Sequence, residues 1–291
     1  MKLVTFTHEG RTRLGAVESD AVVDFAAHGR GLPDDMLTFL AQGEAAFNSA
    51  REVCVSGTGR LDLRDVSLEA PIRRPPKILA VGLNYRDHAA EGGFDIPTVP
   101  MIFNKQSTAV TGPQGVIYLP KESAQLDYEG EFAFIIGKRC RHVPKEKALD
   151  VIAGYTIAND VSVRDWQFRS PTTTMGKSWD THCPLGPYMV TPDEVGDPHS
   201  LTLRTWVNDE LRQDSNTRNL IFDCSDIIAH LSTAFTLEPG DVICTGTPSG
   251  VGLGMDPKVW LKAGDAVRIT IDQLGTLENR VIDEPHSTVR Y

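Results

Sequence analysis

Apolar and polar positions alternate with a period of two through residues 2–7 (KLVTFT) and 13–24 (RLGAVESDAVVD), with the turn His8-Glu9-Gly10-Arg11 between them. Side chains on a strand alternate faces, so this pattern predicts two short strands. Over residues 33–54 the spacing becomes helical, through Met36, Leu37, Phe39, Leu40 and Phe47. A small α+β unit over residues 1–70 is the expectation. Next comes Ala70-Pro71-Ile72-Arg73-Arg74-Pro75-Pro76-Lys77, where proline removes backbone donors and disfavours helix before it. It reads as a stiff linker, with a larger domain over residues 71–291.

Strands dominate beyond the linker. Ile78-Leu79-Ala80-Val81 predicts a strand, residues 84–93 are polar, and residues 126–136 are a strand with an apolar end. A helix is expected from near Pro144, strands around 154–159, 186–190, 201–208 and 241–245, and a helix over 226–235 capped by Ser225. Residues 266–272 and 276–283 alternate around Gln273-Leu274-Gly275, which reads as a β-hairpin. The whole is an α+β, β-rich chain with long connections rich in Gly and Pro.

The strand Leu126-Asp127-Tyr128-Glu129-Gly130-Glu131-Phe132-Ala133-Phe134-Ile135-Ile136 breaks the rule that apolar strands carry few charges. Residues i and i+2 point the same way, roughly 6.5–7 Å apart along the strand, so Asp127, Glu129 and Glu131 share a face. Either this face is an edge in water, or the carboxylates share a cation, because unpaired buried carboxylates are costly. The run Gly154-Tyr155-Thr156-Ile157-Ala158-Asn159-Asp160 ends on a further acid. An all-oxygen set without soft ligands favours Mg²⁺ or Mn²⁺ over zinc.

Arg164, Gln167 and Lys177 follow closely. Arg164 and Lys177 are surface residues or countercharges for a substrate carboxylate or an oxyanion. His88 and Glu91 are three apart, so on a helix they share a face, either as a solvated contact or as a base oriented by a carboxylate. Gly92-Gly93 beside them would let such a segment act as a lid. The stretch Cys244-Thr245-Gly246-Thr247-Pro248-Ser249-Gly250-Val251-Gly252-Leu253-Gly254 lacks the G-K-[ST] ending of a phosphate loop and suits closure over a substrate carboxylate better.

Composition narrows the function classes. Of 291 residues, 41% are hydrophobic and 23% charged, values of an ordinary globular protein. No apolar run approaches the roughly 20 residues needed to cross a bilayer, and no secretory pattern opens the chain, so membrane binding is not expected and a cytoplasmic location is. The net charge of −10 opposes contact with nucleic acid. The five cysteines are scattered, without a C-x-x-C pair, and are expected to be reduced.

Taken in order, KILAVGLNYRDHAAE, DYEGEFAFIIG, GYTIANDVSVRDWQ, GKSWDTHCPLGP and PGDVICTGTPSGVG resemble the fumarylacetoacetate hydrolase superfamily from about Lys77 to Asp283. The resemblance implies a mixed β-roll catalytic domain, a small variable N-terminal domain, a homodimer, and a Mg²⁺ or Mn²⁺ ion on Glu129, Glu131 and Asp160, with Asp127 behind them. It also implies Arg164, Gln167 and Lys177 at the substrate, His88 with Glu91 as the water-activating dyad, and Thr247 on the substrate carboxylate. The absence of a Glu in the glycine-rich loop makes the chain similar to the smaller acylpyruvate-hydrolase-like members. The expected reaction is hydrolytic cleavage of a C–C bond in a small anionic keto acid, a 2,4-dioxo acid of the acylpyruvate or fumarylpyruvate kind. Lys177 and Gln167 would hold the oxyanion, and a pyruvate enolate would leave. Oxaloacetate decarboxylation, lyase or isomerase chemistry, and noncatalytic dicarboxylate binding are the alternatives.

Overall fold

The computed structural model describes residues 1–28, 31–56 and 59–285. Its alternating N-terminal segments pair as antiparallel strands, Lys2–His8 with Arg11–Glu18. The single strand expected over 13–24 is two, Arg11–Glu18 and Ala21–Asp24, because Ser19 turns the chain with a φ of 57°. The helix expected over 33–54 likewise divides into Met36–Ala41 and Glu44–Ser56. Gly43 sits between them at a φ of 59°, a conformation helices do not continue through.

These strands do not form a sheet of their own. Lys2–His8 hydrogen-bonds antiparallel to Cys183–Val190, with Leu3 opposite Met189. One mixed sheet then runs through Arg60–Asp62, Ala21–Asp24, Arg11–Glu18, Lys2–His8, Cys183–Val190, Ile152–Asn159, Gly130–Ile136, Val242–Cys244, Ile78–Gly82 and Met101–Lys105. A second sheet of five strands orders Glu210–Asn216, Thr202–Val207, Ala266–Ile271, Gly275–Asp283 and Val116–Leu119, and contains the expected C-terminal hairpin. Both sheets are mixed, since Val242–Cys244 runs parallel to Ile78–Gly82 and Gly275–Asp283 parallel to Val116–Leu119. This is the β-rich α+β architecture the sequence implies.

The central strand Gly130–Ile136 is buried along its whole length, with Val242–Cys244 on one side and Ile152–Asn159 on the other. Phe132 stacks on Tyr155 with ring centroids 5.3 Å apart, inside a core shared by both sheets. On the other face, Ala133 and Ile135 belong to a cluster that includes Leu3, Leu14 and Phe39 of the N-terminal segment. The floor of the site is therefore rigid, held by packing on both faces.

Two helical expectations change. Lys145–Val151 after Pro144 is a 3-10 helix. The later helix spans Cys224–Ala234 and is capped by Asp223, not Ser225; Asp223 accepts from Asp226 N, and Asp226 reaches back to Asp223 N, a reciprocal capping box. Asp223→Ala is expected to lower stability by about 1 kcal/mol in denaturant unfolding, and Ser225→Ala to leave it unchanged; equal losses from both variants would refute this assignment of the cap.

Candidate active site

Strand register brings the acids together. Gly130 faces Asn159 and Glu131 faces Ala158, so Glu129 lies opposite Asp160, whose N–H donates to Glu129 O at 2.9 Å. Glu129 and Glu131, two apart, point to the side Asp160 enters. One oxygen from each of the three lies within 4.8 Å of the others, and all three residues are buried. The solvated-edge alternative is thereby excluded.

Asp127 does not join them. Strand pairing lapses at Tyr128 and Glu129, and the Asp127 carboxylate accepts from Gly252 N, Leu253 N and Tyr128 N at 2.8–2.9 Å. Arg164 stands between it and the triad, with Nε 2.9 Å from Asp127 Oδ2 and Nη1 2.6 Å from Glu129 Oε1. Nη1 also donates to Gln167 Oε1 at 2.9 Å. The buried guanidinium is thus a brace, and the Gln167 side chain that it holds by Oε1 also lines the cavity.

Lys177 Nζ donates to Glu129 Oε2 at 2.7 Å and Asp160 Oδ2 at 2.8 Å, and lies 5.0 Å from the centroid of the Phe103 ring. A further lysine, Lys105, escaped the sequence reading. It ends the strand Met101–Lys105 fully inside the protein and donates to Asp160 Oδ1 at 2.6 Å, to Val161 O and to Lys177 O. A lysine closing the strand Met101-Ile102-Phe103-Asn104-Lys105 is its only signal in the sequence. It fixes one Asp160 oxygen while Lys177 takes the other.

Four carboxylates thus meet three buried cations, leaving one negative charge uncompensated. Burial would push Glu129 up, but the charges of Lys177 and Arg164 bring it down to about 2. Glu131 goes the other way: burial, then the charges of Asp160 and Glu129, hold its carboxyl well above the usual range, against Lys177 and the Gly246 N–H at 2.8 Å. That N–H is delivered by a glycine at φ 99°, where a Cβ would lie 2.8 Å from Val81 O. A buried all-oxygen set with excess negative charge fits a hard divalent cation such as Mg²⁺ or Mn²⁺.

On the cavity wall, the helix Arg86–Gly92 carries His88 and Glu91, and Gly93 ends it in the left-handed conformation. His88 Nδ1 is 3.0 Å from Glu91 Oε2, and Glu91 Oε1 accepts from Gly250 N at 2.8 Å. Burial raises the Glu91 carboxyl, but its bonds to His88 and Gly250 outweigh this and hold it below the usual range. A Cβ on Gly254 would lie 2.6 Å from the Glu91 carboxyl carbon, so the glycine-rich loop is shaped around this carboxylate. Thr247 Oγ1 also lines the cavity; it donates to Gly130 O at 2.9 Å and accepts from Gln213 Nε2 at 2.8 Å. Its one proton is therefore engaged by the strand. The cavity, about 480 Å³, brings together His88, Glu91, Glu129, Glu131, Arg164, Gln167, Lys177 and Thr247, with Phe94, Met101, Phe103, Phe168, Val251 and Leu253 as an apolar wall.

Residues 77–282 match the model of the fumarylacetoacetate (FAA) hydrolase C-terminal family. The chain is 43% identical over 288 residues to a mitochondrial oxaloacetate tautomerase (fahd2) of Xenopus laevis, covering 97% of this chain and 90% of that protein. It is 42% identical over 263 residues to a mitochondrial oxaloacetate tautomerase (FAHD2A) of Homo sapiens, covering 90% and 84%. The crystal structure of a maleylpyruvate hydrolase from Sphingobium sp. SYK-6 with manganese(II) and pyruvate has a TM-score of 0.82 at 36% identity, covering 98% of this chain and all of that one. No helix among the described residues is long and apolar enough to cross a membrane.

Two outcomes follow from the charge balance. Folded Glu131 holds its proton more tightly than an unfolded glutamate, so its contribution to stability is present at low pH and is lost as pH rises from the ordinary carboxylate range towards its raised value. At pH 7.5 with chelator, Glu131→Gln is expected to unfold at a higher temperature than the parent, and to lose most of the gain of about 2–3 kcal/mol that Mn²⁺ at a hundredfold excess over its Kd gives the parent. Lys105→Met leaves a buried carboxylate short of a partner and is expected to cost about 3–5 kcal/mol in denaturant unfolding; a loss below 1 kcal/mol would contradict its bracing role.

Proposed function

The chain belongs to the fumarylacetoacetate hydrolase family, and from that premise we propose that it is a divalent-metal-dependent enzyme of small 2-oxo acids whose reaction is proton transfer at C3 of oxaloacetate, interconverting the keto and enol forms. The observation that carries this reading is the His88–Glu91 pair, 3.0 Å apart on the wall of the cavity that also exposes Glu129 and Glu131. An imidazole whose Nδ1 is held by a carboxylate presents Nε2 as a base. Mere binding of an acid needs no such base. The names of the relatives at 41–43% identity over 97% of the chain support oxaloacetate as substrate.

An ion held by Glu129, Glu131 and Asp160 would supply Lewis acidity at the 2-oxo oxygen. His88 takes the C3 proton, the C–H electron pair becomes the C2–C3 double bond, and negative charge moves to the C2 oxygen. Lys177 has three N–H donors and uses two on Glu129 and Asp160, which leaves the third for that oxygen. The Gln167 NH₂ is a second donor. Return of the proton from His88 to the oxygen completes the enol, with no water consumed.

A second reading, hydrolysis of a C–C bond in a 2,4-dioxo acid, is favoured by the apolar wall of Phe94, Phe103, Phe168, Val251 and Leu253, which a four-carbon diacid does not fill. The likeness to the maleylpyruvate hydrolase supports it as well. There His88 would deprotonate a water that attacks C4, and C3–C4 would break to release pyruvate as its enol. The proposal includes a homodimer, testable by sedimentation.

The decay of enol absorbance and C3 deuterium exchange in D₂O measure the first reaction, and ¹⁸O uptake from water into the acid product measures the second. His88→Ala is expected to lower kcat about 10²–10⁴-fold in whichever reaction the enzyme performs, and Lys177→Ala about 10²–10³-fold. Full kcat in His88→Ala would refute the base. CO₂ release from oxaloacetate without enol–keto exchange would replace tautomerisation with decarboxylation.

A further inference from the structure

Three cationic side chains, Arg164, Lys177 and Lys258, line the cavity. The first two are buried and committed, Arg164 to Asp127, Glu129 and Gln167, and Lys177 to Glu129 and Asp160. Lys258 is exposed at the rim, and among the described residues no side-chain hydrogen bond or ion pair involves it. Its backbone is nevertheless anchored. The next residue, Val259, donates its N–H to Gly252 O at 3.1 Å, and Gly252 N in turn binds Asp127 at 2.8 Å.

The charge balance of the core gives this lysine a purpose. Four carboxylates, three buried cations and one divalent ion leave a single positive charge, which matches the one carboxylate beside the 2-oxo group. A second carboxylate on the same molecule finds no countercharge there, and Glu91 opposes it. The walls between offer Phe94, Phe168, Val251 and Leu253, which solvate carbon but not charge. A lysine has the flexible four-carbon stem to bring an ammonium inward from the rim.

We infer that Lys258 is the specificity residue that receives the distal carboxylate of the substrate, and that the enzyme prefers 2-oxo diacids to 2-oxo monoacids of equal length. This deepens the 2-oxo-acid reading above and rests on it.

The test is calorimetric binding of two five-carbon acids, 2-oxoglutarate and 2-oxopentanoate, which lack the 4-oxo group needed for C–C hydrolysis, to the Mn²⁺-loaded protein. The parent is expected to prefer 2-oxoglutarate, and to lose part of that preference as salt rises, since the rim is solvated. Lys258→Met is expected to weaken 2-oxoglutarate about three- to fivefold and Lys258→Glu about tenfold, with 2-oxopentanoate unchanged and Lys258→Arg retaining the preference. If the parent binds both acids and the ratio is the same in Lys258→Met, or both acids weaken together, the assignment of Lys258 is wrong while the 2-oxo-acid reading stands. If the loaded parent binds neither acid, that reading fails and the role of Lys258 falls with it.

Discussion

The constraint on which the site depends is the confinement of four carboxylates in one poorly hydrated hollow. Removing each from water costs several kcal/mol unless partners replace the lost solvation. The protein answers with Arg164 between Asp127 and Glu129, Lys177 across Glu129 and Asp160, and Lys105 on the remaining Asp160 oxygen. Backbone N–H groups of Gly246, Gly252 and Leu253 complete the coordination of Glu131 and Asp127. The compensation stops one charge short, at Glu131, and that residual charge is what makes a hard divalent cation the natural guest.

The same network explains how distant segments are held in register. The acids stand on or beside paired strands whose apolar faces are packed on both sides, so their positions are set by the core. The cations arrive from elsewhere: Lys105 from a strand end, Lys177 from the short helix Thr174–Lys177, and Arg164 from the helix Arg164–Gln167. Each ion pair crosses between elements, and a shift of any one of them would leave a buried charge without a partner. The triad is thereby over-determined, as a preorganised site requires.

The His88–Glu91 pair is mounted differently. His88 and Glu91 lie on a seven-residue helix that ends in Gly92 and a left-handed Gly93, and that helix meets the glycine-rich loop through the Glu91–Gly250 bond. Loop and helix share this carboxylate, while Asp127 ties the same loop to Arg164 and so to the triad. The His88–Glu91 pair is therefore positioned relative to the acids through a chain of side-chain and backbone bonds.

Much of this was legible in the sequence. The i, i+2 spacing of Glu129 and Glu131, the acid closing the Gly154–Asn159 run, and the i, i+3 spacing of His88 and Glu91 are local facts, and the faces they predict hold wherever the backbone stays regular, which it does not between Asp127 and Glu129. The strands and the C-terminal hairpin were readable for the same reason, since alternation follows from the backbone. Tertiary structure decided the rest. It joined the N-terminal strands to Cys183–Val190, divided the expected single strand and helix at Ser19 and Gly43, and made Asp223 rather than Ser225 the cap. It also turned Asp127 away from the triad, placed Lys105 on Asp160 across 55 positions of chain, and made Arg164 a brace. Such pairings cannot be read from spacing, because they are chosen by which buried charge would otherwise stand alone once the sheets have closed.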